Sequence, residues 1–470
     1  MSPAATYLLA DHTLVAQAFA MRRRPGVPEP VQSEPVLPCA HAYGSVLCDP
    51  ESGLFRMWYL GSRVYCEYYA TSENGIDWDL PDLGILPPDE RGNRNAFMTN
   101  GQNDGNGYPL VGNNGPEGFS VLDAEMEDHP AAKARFTALY LARVREGEPG
   151  LCIAYSDDGI HWTADQHNPV VHGWMDTSHS LLWDPDIRRY VVYGRPPVHA
   201  SVMKGANRYV SRMESEDLIH WSPCTTALNT DDADADPRDQ IDESTLIGTD
   251  EPKIRGPNRQ FYGMSVSKQH GLYIGLARVL DVPSGAGWIE LAHSTDGVVW
   301  FREPLRQPFI APRPGTWEHP MLLTTVASPP VPVGDDLWIY HTGNSTPHHV
   351  KGAPIETRGI GVRKIRTDRW SGYHSAEKEA ELLTRPIPSG SRLTLNASTQ
   401  PDGWIRVEVI DPWGAVIEGC TLEESATISG DSLAHAVRWN GTDRIASSSS
   451  SIRLRIRSSR ASVWAFTIQD

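Results

Sequence analysis

The sequence predicts an all-β protein, with a five-bladed β-propeller over residues 1–379 and a small antiparallel β-sandwich over residues 380–470. Three observations predict it. One phrase recurs as Tyr69-Ala70-Thr71-Ser72-Glu73-Asn74-Gly75-Ile76-Asp77-Trp78, as Ala154-Tyr155-Ser156-Asp157-Asp158-Gly159-Ile160-His161-Trp162, and as Ala292-His293-Ser294-Thr295-Asp296-Gly297-Val298-Val299-Trp300, with degenerate copies ending at Trp221 and Trp370. An aromatic-rich strand precedes each copy, as in Phe55-Arg56-Met57-Trp58-Tyr59 and Leu337-Trp338-Ile339-Tyr340. After Trp370 the pattern changes to alternating polar and apolar residues, the period of half-buried strands.

Each element has a local reason. The phrase reads as a hairpin: Asp or Asn before Gly supplies the reversal, and the tryptophan anchors the returning strand. Its recurrence every 60 to 85 residues or so is the mark of a repeat architecture. Tyr7-Leu8-Leu9-Ala10 reads as a short strand that completes the last blade, and Gln260-Phe261-Tyr262-Gly263-Met264 as a middle strand of the fourth. The irregular run 87–118 is expected over one face of the ring. In the tail, Ser389-Gly390-Ser391-Arg392-Leu393-Thr394-Leu395-Asn396, Trp404-Ile405-Arg406-Val407-Glu408-Val409-Ile410-Asp411 and Ile452-Arg453-Leu454-Arg455-Ile456-Arg457 read as strands joined by turns such as Asp402-Gly403 and Asn440-Gly441.

With 470 residues there is ample length for a core, and the formal net charge of −17 argues against nucleic acid or an anionic membrane as partner. Residues 1–30 lack the layout of a secretory signal, and nothing approaches a transmembrane span. Cys39, Cys48, Cys66, Cys152, Cys224 and Cys420 show no paired spacing, which favours reduced thiols and a cytoplasmic location over a secreted protein with three disulfides. Homo-oligomerisation is left open. Asp232, Asp234, Asp236 and Glu243 fall at calcium-loop spacing, but Pro237 occupies the turn-glycine position, so the run is expected to be a solvated acidic loop. His341, His348 and His349 are expected to serve hydrogen bonding rather than zinc. No cofactor or metal ligand set is expected, with room for a structural calcium in the channel.

In a propeller the first strand of each blade lines the channel, so polar residues at the strand entrances converge. In blade order these are His41 and Tyr43; Glu117, Ser120 and Asp123; Asp176, Ser178 and His179; Asp242 and Glu243; Glu318 and His319. Carboxylates gathered from separate blades raise one another's pKa, leaving one protonated beside an ionised partner. Glycosidic cleavage requires such a pair. The expected catalytic set is Asp176, Asp242 or Glu243, and Glu318, with Glu318 or Glu243 as proton donor and Asp176 as base or nucleophile. His41, Tyr43, Glu117, Asp123, Trp174, His179, Arg195, His319 and His341 are the expected substrate-binding residues. For each acid a turn-capping role is the alternative, and Arg195 and His341, which end middle strands, fit a core role equally well.

The repeated Ser-x-Asp-Gly hairpins, Arg56-Met57-Trp58-Tyr59 and the channel acids together resemble the five-bladed propeller glycosidases, the superfamily of levanases, invertases and arabinanases. Asp176-Thr177-Ser178-His179-Ser180-Leu181-Leu182-Trp183-Asp184 and the tail from Leu383-Thr384-Arg385-Pro386 to Leu393-Thr394-Leu395-Asn396 are similar to bacterial proteins labelled family 32-like. The resemblance implies a glycoside hydrolase acting on an oligosaccharide, with a furanosidic linkage of fructo or arabino type. It is incomplete. The first-blade Asn-Asp-Pro phrase of invertase-type enzymes is missing, and His41 and Tyr43 offer no carboxylate there, so the catalytic set is shifted to other blades. Two rivals accompany this reading: a phosphorylase or transglycosidase using Arg195, Arg208 or Arg212 for phosphate, and a non-catalytic glycan-binding propeller.

Overall fold

The computed structural model describes residues 4–63, 65–106, 109–112, 114–144, 149–176, 179–197, 208–234, 259–348, 350, 352–445 and 449–469. Among them the regular elements are β-strands and short 3-10 turns, with no α-helix. Four antiparallel units follow in sequence, each winding outward from its first strand. These are His41–Cys48, Phe55–Leu60, Cys66–Ser72 and Ala96–Thr99; Asn114–Asp123, Phe136–Arg143, Gly150–Ser156 and Thr163–Ala164; Ser180–Asp184, Arg189–Gly194, Val210–Ser215 and Thr225–Leu228; and Arg259–Gln269, Leu272–Asp281, Ala286–Ser294 and Phe301–Arg302. Met321–Thr325, Asp336–Asn344 and Arg358–Arg366 form the next unit, joined to the fourth by the pairing of Gly287 with Met321.

Small hydroxyl side chains lock the first strands of these units to one another. The Ser45 hydroxyl donates to the Phe119 carbonyl at 3.1 Å and accepts from Val121 N–H at 2.9 Å. Ser120 accepts from Leu181 N–H at 3.0 Å, Ser180 from Val266 N–H at 3.0 Å, and Ser265 donates to the Val326 carbonyl at 2.6 Å. Ser328 donates to the Val46 carbonyl at 3.0 Å and returns the chain of contacts to its start. A serine is short enough to let two strands approach while satisfying main-chain groups that water cannot reach.

The repeated turns stitch the units a second time, farther out. Gly159 and Gly297 take left-handed φ values of +78° and +72°, and their carbonyls accept hydrogen bonds from Trp58 Nε1 and the Tyr193 hydroxyl, each at 2.7 Å and each from another unit. In the degenerate third copy Leu218 occupies the same position with φ +68°, fully buried. Trp221 Nε1 donates to its carbonyl at 2.9 Å, as Trp162 and Trp300 do to Gly159 and Gly297.

Several expectations are corrected. Ala5–Leu8 pairs with Ser451–Gln469, not with the last unit; the outer pairing of Arg358–Arg366 comes instead from Glu29–Pro30 and Leu37–Pro38. Arg259–Gln269 is the first strand of the fourth unit rather than a middle one; the strand between it and the repeated phrase is Leu272–Asp281. Asp234 is not solvated: it is 1% exposed and holds Arg302 through two bonds of 2.6 and 2.8 Å. Within the 87–118 run, expected to be irregular, Ala96–Thr99 is the outer strand of the first unit, held by Gln102, and Asp104 accepts from Ala164 N–H of the second.

A separate sheet gathers Ala5–Leu8, Val15–Phe19, Met21–Pro25, Ser371–Ser375 and the strands from Ala380 onward. Its two longest strands, Arg392–Ile410 and Ser451–Gln469, pair along most of their length, with a register shift between Thr399 and Trp404 where a turn had been expected. Leu395, Val407, Trp439, Ile456 and Phe466 are fully buried in its core. No disulfide joins any of the six cysteines.

Candidate functional site

A cleft of ≈ 490 Å³ opens where the first strands begin, with His41, Tyr43, Glu117, Tyr262, His348 and Arg358 in its wall. Glu117 stands on Asn114–Asp123, opposite Leu141 and bracketed by two register irregularities. It reaches the cleft, yet its Oε2 is buried and has no hydrogen-bond partner. Burial, followed by the negative charge of Asp176, pushes its carboxyl up to about 8, against a smaller opposing pull from Arg195. Glu117 is thus a carboxylic acid at neutral pH.

Asp176 arrives from the next unit, just ahead of Ser180–Asp184, in a left-handed conformation with φ +55°. Its Oδ2 lies 2.8 Å from Nη1 of Arg195, the residue that follows Arg189–Gly194. The Arg195 guanidinium also packs over the Tyr262 ring, 4.6 Å from its centroid. Beneath them His179 is fully buried with neither ring nitrogen bonded, and burial lowers it to about 3, so it is neutral. Tyr262 packs in one cluster with Tyr43, which stacks on His41 at 5.2 Å. Arg358 donates to His41 Nε2 at 2.7 Å; burial and this arginine hold His41 at about 3.

Two residues absent from the sequence-based set complete the site. Glu67, in Cys66–Ser72, is fully buried with both oxygens unpartnered, and burial and then Glu117 push it well above the carboxylate range. An acid inside the apolar strand Cys66-Glu67-Tyr68-Tyr69-Ala70 was the signal for it. Arg278, on Leu272–Asp281, donates to the Ser265 hydroxyl at 2.6 Å and the Thr325 carbonyl at 3.1 Å. It is 1% exposed, and burial lowers it to about 10.

Of the expected catalytic residues, Asp176 lies here, whereas Asp242 and Glu243 fall outside the described residues. Glu318 is elsewhere. It is 1% exposed between Arg313, whose Nε is 2.7 Å away, and Arg363, with His341 Nε2 at 3.8 Å. Its carboxyl is held below the usual range: burial acts against ionisation, but His341 and the two arginines outweigh it. An acid so held is no proton donor at neutral pH. His341 therefore belongs to the Glu318 cluster, stacked on Trp317, and His319 is exposed. Asp123 sits at the far end of its strand, paired with Arg135 at 2.9 Å, because a ten-residue strand places its two ends on opposite faces. Trp174 is half-buried and its Nε1 is unbonded, but it is not part of the cleft wall described above.

That far end carries its own cleft of ≈ 740 Å³, walled mainly by Val46, Val121, Leu182, Pro330 and Val331. Among the described residues one group has metal-ligand geometry: Asp11, His12 and His293, away from both clefts, with His12 Nδ1 3.0 Å from His293 Nε2.

No protein-family description matches the sequence, and no curated protein matches it. Solved structures align with the chain at a distance. A thermostable family-43 glycoside hydrolase aligns at TM-score 0.45 and 14% identity over 72% of this chain and 92% of its own. An endo-arabinase from Bacteroides thetaiotaomicron aligns at 0.43 and 13%, over 73% and 98%. An N-acetylgalactosamine deacetylase from F. plautii aligns at 0.42 and 12%, over 75% and 97%. At this distance the activities of those proteins do not carry over to this chain.

Proposed function

We propose that the protein is a glycoside hydrolase whose acid is Glu117 and whose base or nucleophile is Asp176. The observation that carries this reading is the unbonded, buried Oε2 of Glu117, protonated near neutral pH beside a carboxylate paired with Arg195. In the reaction Glu117 gives its proton to the leaving oxygen as the glycosidic C–O bond breaks. Asp176 either takes a proton from the water that adds to the anomeric carbon or attacks that carbon itself. Arg195 holds the Asp176 carboxylate in place, and neutral His41 and His179 leave its charge uncompensated from their side.

The reading takes the repeat as a five-bladed propeller ending near residue 379 and the tail as a sandwich; the closed cycle of serine contacts supports it. A furanosidic oligosaccharide and a cytoplasmic location are its finer parts. Asp242 and Glu243 stay candidates for a third acid.

The test is sugar release from fructo-, arabino- and galacto-oligosaccharides by the wild type beside Glu117→Gln and Asp176→Asn. Cleavage by the wild type, lost in both folded variants, supports the assignment. Undiminished cleavage by either variant discards its role, and a wild type silent on every glycan favours a binding propeller.

A further inference from the structure

The protein carries a formal charge of −17, yet the candidate site has a local surplus of positive charge. Among the described residues Arg195, Arg278 and Arg358 stand at it, and Asp176 is the one described carboxylate paired with any of these three. Glu67 and Glu117 do not balance this charge, because both are protonated, and His41 and His179 are neutral. Tyr262 has two guanidinium groups against one ring, Arg195 at 4.6 Å and Arg208 at 5.9 Å.

The donors are also unspent. Arg278 meets only a hydroxyl and a carbonyl, and its Nε and Nη1 have no partner although the residue is 1% exposed. Arg195 uses Nη1 on Asp176 and leaves Nε and Nη2 without partners at 8% exposure. A guanidinium taken out of water without an anion is unfavourable, and an oxyanion that accepts from such donors relieves the penalty.

We infer that this end of the first strands holds an oxyanion subsite, in which a sugar carboxylate or an inorganic phosphate is received by Arg195 and Arg278 beside Tyr262. This rests on the mouth being the sugar-binding site. The subsite would select acidic sugars over neutral ones, or bind phosphate as a co-substrate; the recognising chemistry is the same.

Binding separates it from the activity reading. Titration of the wild type with galacturonate and glucuronate, beside galactose and glucose, is expected to show the acids at least tenfold tighter, with the preference shrinking as salt rises. The preference, read as the ratio of acid to neutral affinity within each variant, should disappear in Arg195→Gln and in Arg278→Gln, so that a general loss of binding does not count. Acids no tighter than their neutral counterparts, or a preference retained in both folded variants, would overturn it. The wild-type comparison decides alone if the variants do not fold. Inorganic phosphate that displaces galacturonate places both at one subsite. Phosphate-dependent turnover of neutral oligosaccharides then assigns it to a co-substrate, and cleavage of uronides in phosphate-free buffer to the sugar. Acid preference without any turnover keeps the subsite and removes the hydrolase; turnover of neutral sugars without acid preference does the reverse.

Discussion

The negative charge of Asp176 is felt by Glu117, an acid 59 positions earlier in the chain and on a different antiparallel unit, and together with burial it keeps Glu117 protonated to about pH 8. The two sides of this relationship differ. Asp176 has an arginine at 2.8 Å, while the buried oxygen of Glu117 has no partner. One fold thus provides an acid and an anion side by side, and it does so by withholding hydrogen bonds from one of them.

Glu117→Gln should therefore act on the leaving group. Loss of general acid catalysis costs about 10²–10⁴-fold on natural glycosides, and much less on aryl glycosides whose phenol departs unaided. Comparing kcat/KM on the two substrate types checks it. Equal losses on both would remove Glu117 from the acid role.

The same group makes stability depend on pH. Its folded value lies above its unfolded one, near 4.5. Its contribution is complete below pH 4.5 and is lost as pH rises toward 8, because only the unfolded chain ionises in that window. The slope is at most about 1.4 kcal/mol per pH unit, less whatever cleft water relieves. In urea melts between pH 5 and 8 the variant should gain on the wild type as pH rises, and parallel curves would refute the assigned burial.

Glu318→Gln tests the other acid. Removing one partner from a buried ion pair costs about 3–5 kcal/mol, and Arg313 and Arg363 would be left facing a neutral amide. The carboxyl is depressed when folded, so its contribution is present above about pH 4.5 and fades on acidification. Denaturation midpoints should fall at pH 7 while kcat/KM per folded molecule stays near wild type. A selective collapse of kcat would return Glu318 to the chemistry.

Gly297→Ala should destabilise by about 2–3 kcal/mol. An added Cβ would stand 2.7 Å from the Tyr193 hydroxyl, at a φ of +72° that alanine adopts poorly. Chemical denaturation measures it, and a change within 0.5 kcal/mol or so would show that the turn relaxes without cost.

The repeat was legible because its turns are local. Ser294, Asp296 and Gly297 bond within a few residues of one another, so the phrase can be read wherever it occurs. Strand assignment failed in the fourth unit, where Gln260-Phe261-Tyr262-Gly263-Met264 looks like a middle strand; an aromatic strand carries no mark of its distance from the centre. The N-terminal strand failed likewise, since Ala5–Leu8 has apolar residues suited to either sheet.

What the sequence by itself determined is the all-β class and the five-copy phrase, and it put Asp176 just ahead of an inner strand. The tertiary structure alone decided which acids meet. Asp123 and Glu117 share one strand, yet only Glu117 reaches Asp176, because ten residues of extended chain separate the two faces. Glu318 looked equivalent to Asp176 by position, and two arginines from other stretches of the chain hold it ionised. The charge state of a carboxyl follows from what packs around it, and those neighbours come from remote parts of the chain.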